Sequence, residues 1–282
     1  LADSSAFMLP DSTLTEQLVD TLLDVLFYTG FTLPWPEADQ GQRRAGQVSY
    51  GLWQSGIACD TSILSTKEME SRRTEIMRLL LTLESKSIYV SPGEYIEYEV
   101  QAVECITRHR DKRRIQSLLC SLLNTIIKYH PDSWLPFDPR KAQGDGAREA
   151  HVKACLHFLL VNLLNRAPWD EGGKEKNEFR LQFSYLHKPK HFQFLADGIF
   201  KILRRPLEAS ANVLSMGQRS VAWTPEMIVL QWELLFTNRK YLLYVIDSGR
   251  ALDLMVLLIF YAKESQLEGV GRVCIFCLQT LS

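Results

Sequence analysis

The chain has no apolar run of bilayer length. Its most hydrophobic stretch, Leu254 to Tyr261 (LMVLLIFY), is followed by Ala262 and Lys263 and falls well short of the roughly 20 residues a membrane-spanning helix needs, which makes it a core helix. Nor is there an excess of either charge. Lys and Arg total 32 against 33 Asp and Glu, a formal net charge of −1, so no overall field draws the chain to nucleic acid or to an acidic membrane. There is no Asn-x-Ser/Thr sequon and no basic-then-apolar leader. The six cysteines (Cys59, Cys105, Cys120, Cys155, Cys274, Cys277) are scattered through 282 residues and read as reduced thiols of a cytoplasmic protein.

The motifs of catalysis and metal binding are also missing. No Gly-x-Ser-x-Gly elbow, no Gly-Lys-Ser/Thr and no His-Glu-x-x-His occurs. Cys274-Ile-Phe-Cys277 has the spacing of a zinc or redox pair, but without a second pair its apolar flanks read as a buried helix face. His187 and His191 are four apart with Pro189 between them, which spoils the helical aim two ligands need. His151 and His157 face different sides of one helix. An enzyme is therefore disfavoured, and neither a cofactor nor a metal is implied; a cryptic hydrolase or zinc protein is the least favoured reading.

What the chain does have is helices. Thr13 and Glu16 have capping-box spacing ahead of the Leu14, Leu18, Leu22, Val25, Leu26 stripe, with Gly30 as a stop. A stretch rich in Gly, Gln and Pro from 31 to 66 reads as a surface loop, with one short element near Tyr50 to Ile57. Ser65 and Glu68 repeat the capping spacing before the next apolar face. Helices are then expected over Glu94–Thr107, Lys112–Tyr129 and Ala147–Asn165, as a pair bracketing Pro189, and from Thr224, whose Thr-Pro-Glu start gives an N-cap and an acid at the positive end of the dipole. Pro206 is expected to end the Phe192 helix, and Asn238 and Gly249 the two after Thr224. Loops fall at about 131–146, 166–177 and 206–223. The count is nine to eleven helices without a convincing strand, which makes the fold class all-α, an α-solenoid or armadillo-like stack in one helical region. The Leu1 start and the Leu281-Ser282 end inside a helical pattern predict a piece of a longer polypeptide.

Two features suit contact with a partner. The run Arg108-His109-Arg110-Asp111-Lys112-Arg113-Arg114 spans a helix junction; it suits a solvated helix end first, and otherwise anionic lipid or an acidic partner, with nucleic acid least favoured. Trp35 and Trp169 each lie beside proline in a polar loop and are candidates for exposure, whereas Trp53, Trp134, Trp223 and Trp232 read as core.

Five blocks carry a resemblance: LVDTLLDVLFYTGF from Leu18, EIMRLLLTLESKSIYVSP from Glu75, LCSLLNTIIKYHP from Leu119, FQFLADGIFKILRRP from Phe192 and, most specific, Glu226 to Phe260 with LQWELLFTNRKYLLYVIDSGRALDLMVLLIF. They resemble an internal part of the high-temperature-induced dauer-formation proteins, relatives of dymeclin. The resemblance implies a helical-repeat protein of the cytoplasm, peripherally bound to Golgi and trans-Golgi membranes. It also implies a role in vesicular trafficking and secretory cargo sorting, with other Golgi proteins as partners and no known catalysis. Members carry an N-terminal glycine suited to myristoylation, and no residue of this chain matches it. The expected role is a scaffold or adaptor segment, with direct anionic-membrane binding through the basic run as the alternative.

Overall fold

In the computed structural model a helix with regular apolar spacing, Lys112–Ile127, lies at the centre. The structure describes residues 12–35, 46–91, 98–129, 139–165, 177–211, 222–264 and 268–281. Its helices are α1 (Ser12–Val25), α2 (Lys67–Glu84), a 3-10 turn (Ser85–Tyr89), α3 (Gln101–Thr107), α4 (Lys112–Ile127), α5 (Pro139–Leu164), α6 (Glu178–Ser184), α7 (Pro189–Ala211), α8 (Thr224–Thr237), α9 (Arg239–Asp247), α10 (Arg250–Glu264) and α11 (Glu268–Leu281). Among the described residues there are isolated β-bridges but no strand, so the protein is all-α.

From Leu118 to Ile127 every residue of α4 is buried, which is the position of a helix packed on all sides. Of its polar residues Thr125 is satisfied locally, its hydroxyl donating to the Ser121 carbonyl at 2.8 Å. Asp111 caps its start, accepting from the Arg113 and Arg114 N–H groups.

Helices α2 and α5 run parallel. Arg148 pairs with Glu70, His151 meets Thr74 at 2.9 Å, and Asn162 donates to Glu84 at 2.7 Å, all at a sequence offset of 77 or 78. Parallel neighbours separated by intervening helices are what a repeat of stacked helices produces, so the arrangement is compatible with an α-solenoid. Farther on, α7, α8, α10 and α11 pack around Leu203, Leu230, Leu234, Leu258 and the buried thiols Cys274 and Cys277. A buried ion pair, Arg180 to Glu233 at 2.7 Å, ties α6 to α8.

Helix α1 ends at Val25, ahead of the expected Gly30, which instead occupies the following turn at φ +77°. The cap of α2 is Thr66, one residue after Ser65, and its hydroxyl accepts from the Met69 N–H. Near Tyr50 to Ile57 there is no helix. Helix α3 spans Gln101–Thr107, and the first residues of the expected Glu94–Thr107 helix, 94–97, lie outside the described ones. Helix α5 begins at Pro139, eight residues before Ala147; proline is tolerated in a first turn because its missing N–H has no helical partner to lose. Trp223 occupies the N-cap position of α8, so Thr224 is its first helical residue. Asn238 and Gly249 do bound α9 as expected.

Pro206 does not end α7, which runs on to Ala211. A helical proline crowds the carbonyls of the preceding turn. The carbonyl deprived of its donor is that of Ile202; the next one, Leu203, accepts from the Tyr261 hydroxyl of α10 at 2.8 Å, which ties this turn to α10.

Candidate functional site

The segment 46–66 is a strap laid over α1, α2, α4 and α5, anchored by Trp53. The Trp53 indole is wholly buried; its N–H donates to the Leu26 carbonyl at 3.2 Å, and its backbone N–H donates to Ser121 Oγ at 3.3 Å. Asn124 reads the strap's backbone. Its Oδ1 accepts from the Ile57 N–H at 2.7 Å, and its Nδ2 donates to the Gln54 and Ile57 carbonyls. Gly56 is required there: its φ is +140°, and a Cβ would stand 2.5 Å from Asn124 Oδ1.

Beneath Trp53 lies a buried polar cluster. Arg73 is 1% exposed, and its guanidinium donates to the Thr32 carbonyl and Ser65 Oγ and lies 5.1 Å from the Trp53 ring. Burial lowers its pKa to about 10. His151 is held down to about 3, first by burial and then by Arg73 and Arg148, so its imidazole is neutral. The Thr74 hydroxyl donates to the Glu70 carbonyl at 2.7 Å and therefore accepts from His151 Nδ1. His151 Nε2 is left to accept from the Cys155 thiol at 3.9 Å. Burial pushes that thiol up to about 12, so this Cys–His pair is a packed, unactivated contact and no nucleophile.

Cys274 and Cys277 are both buried, their thiols raised to about 11 and about 12 by desolvation. His191 is buried and its Nε2 accepts from the Ala58 N–H at 3.4 Å, while His187 is exposed. Among the described residues no three His, Cys, Asp or Glu side chains gather as a metal ion would require, and no helix is long and apolar enough to cross a membrane.

The basic run divides when it is placed. Arg114 turns inward to pair with Asp20 at 3.0 Å and Asp24 at 2.8 Å, and Arg108 pairs with Glu104 at 2.6 Å. Lys112 projects into solvent with its ammonium 3.9 Å from Glu178, and Arg110 and Arg113 are exposed. Trp35 is 37% exposed, its indole lying where a Cβ on Gly30 would be 2.4 Å from the ring. It belongs to the turn after α1, whose Phe31 and Thr32 carbonyls accept from Arg72 and Arg73 of α2. Trp169 and Trp134 lie outside the described residues.

Sequence reasoning passed over a more exposed pair. Ile88 and Tyr89, in the 3-10 turn after α2, are 76% and 86% exposed. Asn162 ties the end of α5 to Glu84 at the end of α2, and Asn165 donates to Glu104 and Thr107 at the end of α3. The three helices thus finish together, and Ile88, Tyr89, Arg110, Lys112 and Arg113 issue from the same end of the stack. The signal was present in the Ser-Lys-Ser-Ile-Tyr stretch, whose apolar residues follow a helix terminus and fall outside the period of α2. A further exposed row, Leu252, Val256 and Ile259, marks the outer side of α10.

Fold and surface define an all-α stacked-helix protein whose buried polar groups hold helices and strap together. The chain belongs to the high-temperature-induced dauer-formation protein family, whose profile matches residues 9–282. It is 29% identical to the Ubp5-interacting protein ftp105 of Schizosaccharomyces pombe, over 96% of this chain and 30% of that protein. Human protein HID1 is 26% identical over 95% of this chain and 37% of its own length, and the Dictyostelium discoideum protein of that name 22% over 95% and 33%. The chain therefore spans about a third of the length of these relatives. No solved structure matches it.

Proposed function

We propose that this chain is a non-enzymatic scaffold segment of a peripheral Golgi protein, acting in vesicular trafficking and secretory cargo sorting from the cytoplasmic face of Golgi and trans-Golgi membranes. The observation that carries the reading is the family match over residues 9–282, joined to a fold whose polar clusters are spent on packing. One relative is named for an interaction, the Ubp5-interacting protein, which supports a binding role in place of a reaction. The adaptor surface lies on the exposed helix ends. Capture of partners from cytosol and from Golgi-enriched membranes tests this: recovery of Golgi trafficking proteins is expected, and recovery of non-Golgi proteins alone argues against it.

A second reading is favoured by the shared helix end. Two exposed side chains, Ile88 and Tyr89, at the same end of the stack as the exposed cations Arg110, Lys112 and Arg113 suit an anionic bilayer surface, where each cation is worth about 1 kcal/mol. Flotation with phosphatidylserine vesicles tests it. Binding that weakens with salt and with Arg110→Gln/Arg113→Gln is expected, and binding indifferent to both rejects the reading.

A further inference from the structure

Glu84 is the last residue of α2 and is 3% exposed. Its Oε1 accepts from Asn162 Nδ2 at 2.7 Å, and the second hydrogen of that amide goes to the Phe158 carbonyl at 2.9 Å. Two buried oxygens of the pair are left over, Glu84 Oε2 and Asn162 Oδ1, each without a hydrogen-bond partner. Both are acceptors when Glu84 is ionised, so neither can satisfy the other. A single proton on Glu84 changes this, because a carboxylic acid donates where a carboxylate cannot.

Among the described residues no cation compensates a charge at Glu84. On α1, Asp20 and Asp24 are engaged by Arg114. On α3, Glu104 is taken by Arg108, and on α5, Lys153 is exposed. In the 3-10 turn, Lys86 faces solvent. The influences on the carboxyl are burial, which raises its pKa to about 8, and the weaker opposing bond from Asn162.

We propose that Glu84 is held as the neutral acid in the folded protein, its hydroxyl donating to Asn162 Oδ1 while Asn162 Nδ2 donates back, so that the acid–amide pair is a proton-dependent latch between α2 and α5. The latch reaches outward on both sides. The Asn162 backbone carbonyl accepts from Asn177 Nδ2 at 2.6 Å at the start of α6, and Glu84 directly precedes the turn that displays Ile88 and Tyr89. Ionisation leaves a buried carboxylate opposite a carbonyl oxygen and releases that end of the stack first.

The sign follows from proton binding. Between the ordinary carboxyl value of 4.5 and about 8 the folded chain keeps a proton that the unfolded chain has lost. The contribution is complete below 4.5 and is lost as pH rises through about 8, at about tenfold in the folding constant per pH unit. Glu84→Gln supplies a donor and an acceptor of the same shape at every pH. We expect its denaturation midpoints to match the unaltered chain at pH 5 and exceed them at pH 8.5, with the alkaline slope removed. Carbon-13 observation of the glutamate carboxyls in the unaltered chain decides even if the variant fails to fold. One carboxyl titrating well above the rest supports the latch, and all of them titrating near 4.5 overturns it, as do parallel pH profiles for the two proteins.

Discussion

At the N-terminal end of the parallel α2–α5 pair, Arg73, Thr74, His151, Cys155 and the Trp53 indole form a cluster in which each donor has an acceptor. At the other end, Glu84 and Asn162 share one hydrogen bond and leave two acceptors facing none. The same two helices are thus joined once by an arrangement complete with the histidine neutral and once by an arrangement complete only with the glutamate neutral. Burial drives both, since it disfavours whichever form is charged; the result is a base that sheds its proton and an acid that keeps it. Opposite pH sensitivities are therefore built into the two ends of one helix pair.

The largest effect should come from the strap end. Trp53→Ala removes a wholly buried ring, its bond to the Leu26 carbonyl and the face on which Arg73 rests, at a cost of about 3–5 kcal/mol. Against a total stability of ~5–15 kcal/mol, urea denaturation should show a much lower midpoint. A loss under 1 kcal/mol would mean that the strap is not part of the core. Asn124→Ala follows: it strands the Ile57 N–H and two strap carbonyls, each costing roughly 1–3 kcal/mol if left unsatisfied. Early amide exchange confined to the strap would locate the damage.

Acid tests the comparison directly. His151 is held at about 3 in the fold against 6.5 in an open chain, so below pH 6.5 the unfolded chain takes a proton that the folded one refuses. This group's contribution is full above 6.5 and declines with falling pH, by about 2.7 kcal/mol at pH 4.5. Glu84 works the other way between 4.5 and about 8, so the two cancel between pH 4.5 and 6.5 and leave a plateau with a falling edge on each side. His151→Gln should remove the acid edge of denaturation midpoints and carry the alkaline decline down to pH 4.5, and Glu84→Gln should remove the alkaline edge and carry the acid decline up to pH 6.5.

The two ends were unequally legible in the sequence. Helices α4, α8, α9 and α10 could be read from apolar spacing and from the stops at Asn238 and Gly249, because these signals are local. The strap read as a surface loop. Most of it does lie on the surface; what the sequence hides is its anchoring, because Trp53 and Ile57 are buried against Ser121 and Asn124, nearly seventy residues away, which look in the sequence like interruptions of an apolar stripe. Pro206 misled in a similar way: the turn before it is tied to α10 by the Tyr261 hydroxyl, a contact that local sequence does not announce. Of the candidate contacts, Arg110, Lys112 and Arg113 are exposed while Arg114 is drawn to Asp20 and Asp24 on α1, and proximity along the chain carries no trace of that division.

The smallest effect on stability should come from that same run, and it separates the cations that pack from those that project. Arg110→Gln with Arg113→Gln removes two solvent-exposed charges and should move the denaturation midpoint by no more than the equivalent of ~0.5 kcal/mol. Arg114→Gln, three bonds poorer around Asp20, Asp24 and Tyr50, should cost more, about 1 kcal/mol, because Asp24 and Tyr50 are half-buried although Asp20 is exposed. Binding to anionic vesicles should run the other way, falling with the double substitution and holding with Arg114→Gln when the chain is folded. If Arg114→Gln alone abolishes vesicle binding in a chain that still unfolds cooperatively, the division of the run into a packing half and a projecting half is wrong.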